Sequence, residues 1–260
     1  MAAPRRRLVD ITVGVDTPDD IGAARTRLTA LGFECAVTPG SLRAVEPVTG
    51  VLTVLRVEPR VVQHPPEPVP HNAPGRIDRP DRRAPGVLRA DRVRPRRLGH
   101  VSLGTTGFET TLSFFRDGLG FRVSDLVGTR GAFLRCSTEH HNVLLLGAPV
   151  SFLHHTSWQV DDVNEVGRGA SAMLRGHPDR HVWGLGRHHA GSNFFWYLRD
   201  PAGNFAEYYS DMDTVLDDQL WKPEVFTAAR AVLSWGPPPP PSFLRPDDLG
   251  ALMAGAHADA

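Results

Sequence analysis

Histidine is unevenly distributed along the 260-residue chain. Nine of its twelve histidines fall between His100 and His189, and six of those are adjacent pairs: His140/His141, His154/His155 and His188/His189. Imidazole ligates metals and exchanges protons near neutral pH, so the clustering favours a metal or acid-base centre, though only modestly over surface histidines. An acid joins them. Glu207 lies in NFAEYYSD, an otherwise apolar and aromatic stretch, where a carboxylate is costly to bury unless it is paired or binds a metal.

The elements that must position these groups repeat three times as a short apolar strand, an amphipathic helix and several further strands. The first copy opens with LVDITVGV, runs through a helix over DDIGAARTRLTALG that Asp19 or a neighbour caps, and closes with FECAV, SLRAVEP and VLTVLRVEP. Ile21, Ala24, Leu28 and Leu31 form that helix's apolar stripe. The second copy opens with HVSLGT, has its helix through ETTLSFFRDGLG, and ends in HNVLLLG. The third opens with HHTSWQV, has its helix through DDVNEVGRGASAMLRG, and ends in NFAEYYSD.

Each unit reads βαβββ and needs a cover for its sheet, which a second copy supplies. The expected fold is therefore α+β: a catalytic pair of half-barrels at 96–220, preceded by a reduced N-terminal module at 1–60. A Pro/Arg-rich stretch at 61–95 reads as a linker. The remainder, 221–260, is a tail with one short helix, an extended GPPPPP run and a disordered MAGAHADA end.

His100 and the His154/His155 pair occupy equivalent places on the opening strands of copies two and three, so a pseudo-twofold would bring them together in the cleft. Glu207 stands on the closing strand of copy three, whereas HNVLLLG in copy two has no acid. Two histidines and one carboxylate leave coordination positions open, which suits a non-haem iron(II) centre that binds substrate and oxygen together. A four-ligand isomerase or lyase site would want a second acid there.

Composition excludes other classes. Lys+Arg and Asp+Glu balance at 29 each, so no global field steers the chain to nucleic acid or an anionic membrane, and a small ligand is expected. Cys35 and Cys136 are too few for a disulfide framework or a four-cysteine zinc site. With no long apolar run and no secretory-type start, a cytoplasmic location is expected.

The segment GRHHAGSNFFWYLRDPAGNFAE, residues 186–207, resembles the signature of the type I extradiol dioxygenases of the vicinal oxygen chelate superfamily. Gly186 and His188, Tyr197, the Asp200-Pro201-Ala202-Gly203 turn and Glu207 carry it, with Trp196 as a departure before the tyrosine. LGHVSLGT, FLRCSTEHHNVLLLG and LHHTSWQVDDV extend it over roughly 96–213.

The resemblance implies Fe(II), with Mn(II) as the alternative, held by His100, His155 and Glu207. It also implies a catecholic substrate cleaved beside its hydroxyls by O2. His141 matches the distal acid-base histidine, and His188 and Tyr197 match the residues that hydrogen-bond the chelated hydroxyls. His140 is expected to face the other way from His141 on one strand, and His189 to be structural or exposed.

Pocket walls are less legible. Trp158, Trp183, Phe194, Trp196 and Phe205 are candidates for packing against an aromatic ring, and Arg187 and Arg199 for a substrate carboxylate. The competing functions are another vicinal oxygen chelate activity (isomerase, epimerase or thiol-transferring resistance protein) and a metal-free aromatic-ligand binding module. The lone first unit also predicts a homo-oligomer, a dimer being the simplest, unless Trp221, Phe226, Trp235 and Phe243 of the tail fold back across its uncovered sheet face.

Overall fold

The computed structural model describes residues 8–245 and 249–250; the MAGAHADA end lies outside them. The first copy comprises β1 (Asp10–Val15), α1 (Pro18–Ala30), β2 (Cys35–Thr38), β3 (Ser41–Val45) and β4 (Leu52–Val57). Its four-stranded sheet has the order β1-β4-β3-β2, with β1 and β4 parallel. The Asp20 carboxylate accepts hydrogen bonds from the backbone N–H and hydroxyl of Thr17, so the cap of α1 begins two residues before Asp19. Ile21, Ala24 and Leu28 are buried as the stripe requires, but Leu31, just past the helix, is 43 % exposed.

Alternation along these strands decides what needs covering. Ile11, Val13, Leu42, Ala44 and Leu55 face α1 and join one core with Phe108, Phe114 and Phe115 of the second copy. Asp10, Thr12, Arg43, Val45 and Arg56 are exposed on the other face. The expectation of a large uncovered apolar face is therefore corrected: the only strongly apolar face is already buried within the chain, and Arg27 ties α1 to the second copy by donating to the Gly118 and Leu119 carbonyls. The physical ground for a dimer through that face disappears with it.

Residues 61–95 hold one helical turn, α2 (Pro85–Leu88), and otherwise run irregularly. They pass along the third copy, where Arg89 meets Asp162 and Glu165 and Arg168 donates to the Asp91 carbonyl.

The second copy is β5 (Arg97–Thr105), α3 (Phe108–Ser113) continued by a wider turn to Gly118, β6 (Arg122–Val127), β7 (Gly131–Arg135) and β8 (Val143–Gly147). The third is β9 (Phe152–Gln159), α4 (Val163–Leu174), β10 (His181–Arg187), β11 (Phe194–Arg199) and β12 (Phe205–Ser210). Antiparallel pairing of β5 with β9 joins the two into one sheet of order β10-β11-β12-β9-β5-β8-β7-β6.

The tail adds β13 (Val225–Phe226), α5 (Ala228–Val232) and α6 (Pro241–Leu244). β13 pairs in parallel with β6 and extends the sheet to nine strands, covering what would be an open edge. The chain then crosses to the other end of the sheet: Arg187 N–H donates to the Trp235 carbonyl, and Trp183 Nε1 to the Pro237 carbonyl at 2.7 Å. The tail thus folds over the nine-stranded sheet and not over the first copy.

Candidate active site

His100 rides on β5 and His155 on β9, the two strands that meet at the centre of the sheet. A register shift between Leu98 and His100 is tolerated at Gly99, whose missing side chain leaves room for the Tyr209 ring. Glu207 is on β12, opposite Tyr197 of β11, and the hairpin between them sets that pairing. Its turn is fastened by Asp200, which accepts from the Ala202 and Asn204 N–H groups at 2.8 Å, with Gly203 in the left-handed region at φ +84°. Shifting the hairpin by one residue would turn both Tyr197 and Glu207 to the outer face.

His100, His155 and Glu207 converge, all three buried, with one ligand atom of each within 4.8 Å of the others. The Nε2 atoms of the two histidines lie 3.3 Å apart, and Glu207 Oε2 lies 3.2 Å from His100 Nε2 and 3.8 Å from His155 Nε2. An ion bound at roughly 2.1 Å from three atoms at right angles would hold them about 3.0 Å apart. Glu207 Oε2 has no hydrogen-bond partner although it is fully buried, a position that a cation would relieve. The donor set therefore fits a divalent metal.

The electrostatics agree. Burial opposes ionisation of Glu207, but the neighbouring His100 and His188 rings outweigh it and hold the carboxyl below the usual carboxylate range. Burial, reinforced by His154, pushes His155 well below the ordinary imidazole range and keeps it neutral, as a ligand must be. Asn193 donates to Glu207 Oε1 at 3.3 Å, a contact that no pattern in the sequence marks.

His141, His188 and Tyr197 line the same cavity as His100 and His155, an apolar chamber of about 560 Å³. His188 Nε2 is 2.9 Å from the Tyr197 hydroxyl and 3.6 Å from Glu207 Oε1. Burial and then the Glu207 charge push the Tyr197 phenol well above its usual range, so it remains a hydrogen-bond donor. His141 is likewise driven neutral by burial and by His100 and His140.

Several expectations change here. His140 and His141 sit in the bend before β8 and not on a strand, so strand alternation does not set their directions. Their rings are perpendicular, with Nδ1 atoms 3.0 Å apart, and His140 Nε2 meets Asp125 Oδ2 at 2.8 Å. His140 does point away from the cavity, but as the fully buried support of His141.

His189 is exposed and packs on Phe226. None of Trp158, Trp183, Phe194, Trp196 and Phe205 lines the cavity; Phe133, Phe152 and Phe243 do, together with aliphatic residues such as Leu144 and Val232. Arg187 pairs with Asp211 and lies over Phe194, Arg199 lies over Phe205, and the arginine bordering the chamber is Arg245. Phe243 was a tail residue with no sequence signal for this role.

A βαβββ pair with a buried histidine-carboxylate cluster in its cleft defines the vicinal oxygen chelate class, and similarity to known proteins agrees. Residues 97–208 match the Glyoxalase/Bleomycin resistance protein/Dioxygenase superfamily, and this segment is a domain of it. The chain is 42 % identical over 156 residues to metapyrocatechase 2 of Cupriavidus necator, covering 59 % of this chain and 48 % of that protein. It is 32 % identical over 154 residues to an iron-dependent extradiol dioxygenase of Rhodococcus jostii strain RHA1, covering 54 % and 50 %. The chain thus spans about half the length of the curated relatives it matches.

Among solved structures, the Mn(II)-bound glyoxalase of Novosphingobium aromaticivorans superposes with a TM-score of 0.65 at 27 % identity, covering 90 % of this chain and 73 % of that one. No described helix is long and apolar enough to cross a membrane.

Proposed function

We propose that the protein is an extradiol dioxygenase that opens a catecholic ring beside its hydroxyls with O2, with His100, His155 and Glu207 holding Fe(II). The observation that carries this reading is an asymmetry. Glu207 is paired with Ser157, two residues after His155, and the matching position two residues after His100 is Ser102, paired with Leu144. An aliphatic residue where a fourth ligand would stand leaves space on the ion for substrate and oxygen.

Bound there, the metal supplies Lewis acidity and a template for a chelated diol. The chain's own groups do the rest. Tyr197, whose hydroxyl hydrogen goes to His188 Nε2, orients a substrate hydroxyl through its own oxygen. Asp125 can only accept, so His140 Nε2 donates to it and His140 Nδ1 accepts from His141 Nδ1–H. That leaves a lone pair on His141 Nε2, the atom that takes up a substrate proton and returns it to the opened product. The apolar chamber excludes water and favours rings with apolar substituents, a volume within the ~300–1,000 Å³ of ordinary ligand pockets.

Similarity to a glyoxalase favours a second reading, an isomerase, against which Leu144 stands. Anaerobic reconstitution with Fe(II) and, in parallel, Mn(II), followed by a catechol panel in oxygenated buffer, separates the readings. The expected result is stoichiometric metal, oxygen uptake and a yellow ring-cleavage product. Stoichiometric metal without oxygen uptake supports the isomerase, and absence of bound metal supports a ligand-binding module.

A further inference from the structure

Two backbone carbonyls of the tail end on histidines of the site. His188 Nδ1 meets the Val232 carbonyl at the end of α5, and His154 Nε2 meets the Phe243 carbonyl in α6 at 2.8 Å. A carbonyl only accepts, so each of these ring nitrogens carries the hydrogen. For a neutral His188, this leaves Nε2 as acceptor for the Tyr197 hydroxyl, the arrangement seen at 2.9 Å.

For a neutral His154 the consequence runs one residue further. Its Nδ1 becomes an acceptor, and it lies 2.8 Å from Nδ1 of His155. His155 must then carry its hydrogen on Nδ1, which places its lone pair on Nε2, the atom beside His100 and Glu207. Packing holds the relay in line: the Phe243 ring lies 4.9 Å from His154 and 4.5 Å from Tyr197, centroid to centroid. His154 and Phe243 are both buried.

We propose that the C-terminal segment 228–244 is a working part of the metal site, and that His154 is the positioning residue through which the Phe243 carbonyl selects the metal-binding tautomer of His155. His154 takes no part in the ligand set. It acts as the outer partner that a ligating histidine requires, with the unusual feature that its own anchor is supplied by the tail. The inference rests on the metal reading above.

The test uses the full chain with Zn(II), a diamagnetic probe, so that ring nitrogens are read by 15N-resolved NMR without turnover. Expected are a hydrogen on Nε2 of His154, and hydrogens on Nδ1 of His155 and of His188. The opposite tautomer at His154 or His155 overturns the proposal.

Alongside it, His154→Leu and His154→Asn are compared with the parent for Zn(II) affinity by competition with a chelator. Leucine abolishes the acceptor facing His155, and a roughly tenfold to hundredfold weaker affinity is expected; asparagine presents an amide oxygen near the Nδ1 position, so most of that loss should return. Equal affinity in parent and His154→Leu, both folded by circular dichroism, also overturns the proposal. Where His154→Leu does not fold, the tautomers of the parent decide. A parent that holds no Zn(II) or Fe(II) at all refutes the metal reading itself, an outcome distinct from both.

Discussion

Copies two and three solve the same problem with different endings. In each, an adjacent histidine pair places its Nδ1 atoms within 3.0 Å, and the outer ring is buried and anchored through Nε2. In copy two the anchor is the Asp125 carboxylate, itself held by the Glu224 N–H at 2.7 Å. In copy three it is the Phe243 carbonyl. A carboxylate can stabilise positive charge arriving on the pair, whereas a carbonyl fixes a neutral tautomer and offers no countercharge. In the proposed mechanism this difference equips His141 to take a proton and His155 to keep a lone pair. The second difference, Leu144 against Glu207, makes one copy the wall and the other the anchor of the same chamber.

The largest effect should come from copy three's acid and ligand. Glu207→Ala and His155→Ala should each abolish iron retention and turnover, measured by metal analysis of anaerobically reconstituted protein; near-parental iron content in either would sink the ligand assignment. Changing His141 to alanine should leave iron and catechol binding intact while turnover falls roughly a hundredfold to ten-thousandfold. Loss of metal instead would mean that a ligand had been taken for an acid-base residue.

Asp125→Asn sharpens the contrast between the two endings. It should lower kcat by about tenfold to a hundredfold, by analogy with other outer-sphere supports, with KM and iron content little changed. A variant that loses iron as His154→Leu is expected to do would erase the distinction drawn between the pairs.

The smallest effect is on the stability of metal-free protein. His141 and His155 are buried neutral, their folded affinities for protons depressed, so the unfolded chain binds protons first as pH falls below about 6.5. Stability should be unaffected by these rings above that pH. Below it, each ring costs about 1.4 kcal/mol per pH unit until its own depressed value is reached. Melting at pH 7.5 and 5.5 should differ by roughly 5 °C or more; an unchanged midpoint would mean that the rings bind protons as readily in the folded state as in the unfolded chain.

The residues most legible in the sequence were those whose positions follow local periodicity. Strand-helix-strand units repeat with their own apolar patterns, so His100, the His154/His155 pair and Glu207 could be placed on opening and closing strands before any contact was known. Tyr197 and His188 came only with the resemblance to the extradiol dioxygenase signature, since periodicity alone reads a tyrosine in an aromatic strand as core. Patterning did less well at His140 and His141, because a bend breaks the two-residue alternation on which their directions were argued.

What the sequence by itself determined, then, was the repeat, the sites of the three ligand candidates and the missing acid in HNVLLLG. Only the tertiary structure decided where the tail goes, that Asp125 and Asn193 reach the site, and that Phe133, Phe152 and Phe243 line the chamber while the tryptophans do not. The reason is physical. Periodicity says which face of an element is apolar, but partners such as Phe243 and His154, 89 residues apart, meet only through the packing of separate elements. The first copy makes the same point: its helix and strands were readable, yet its cover was found in the second copy's own core.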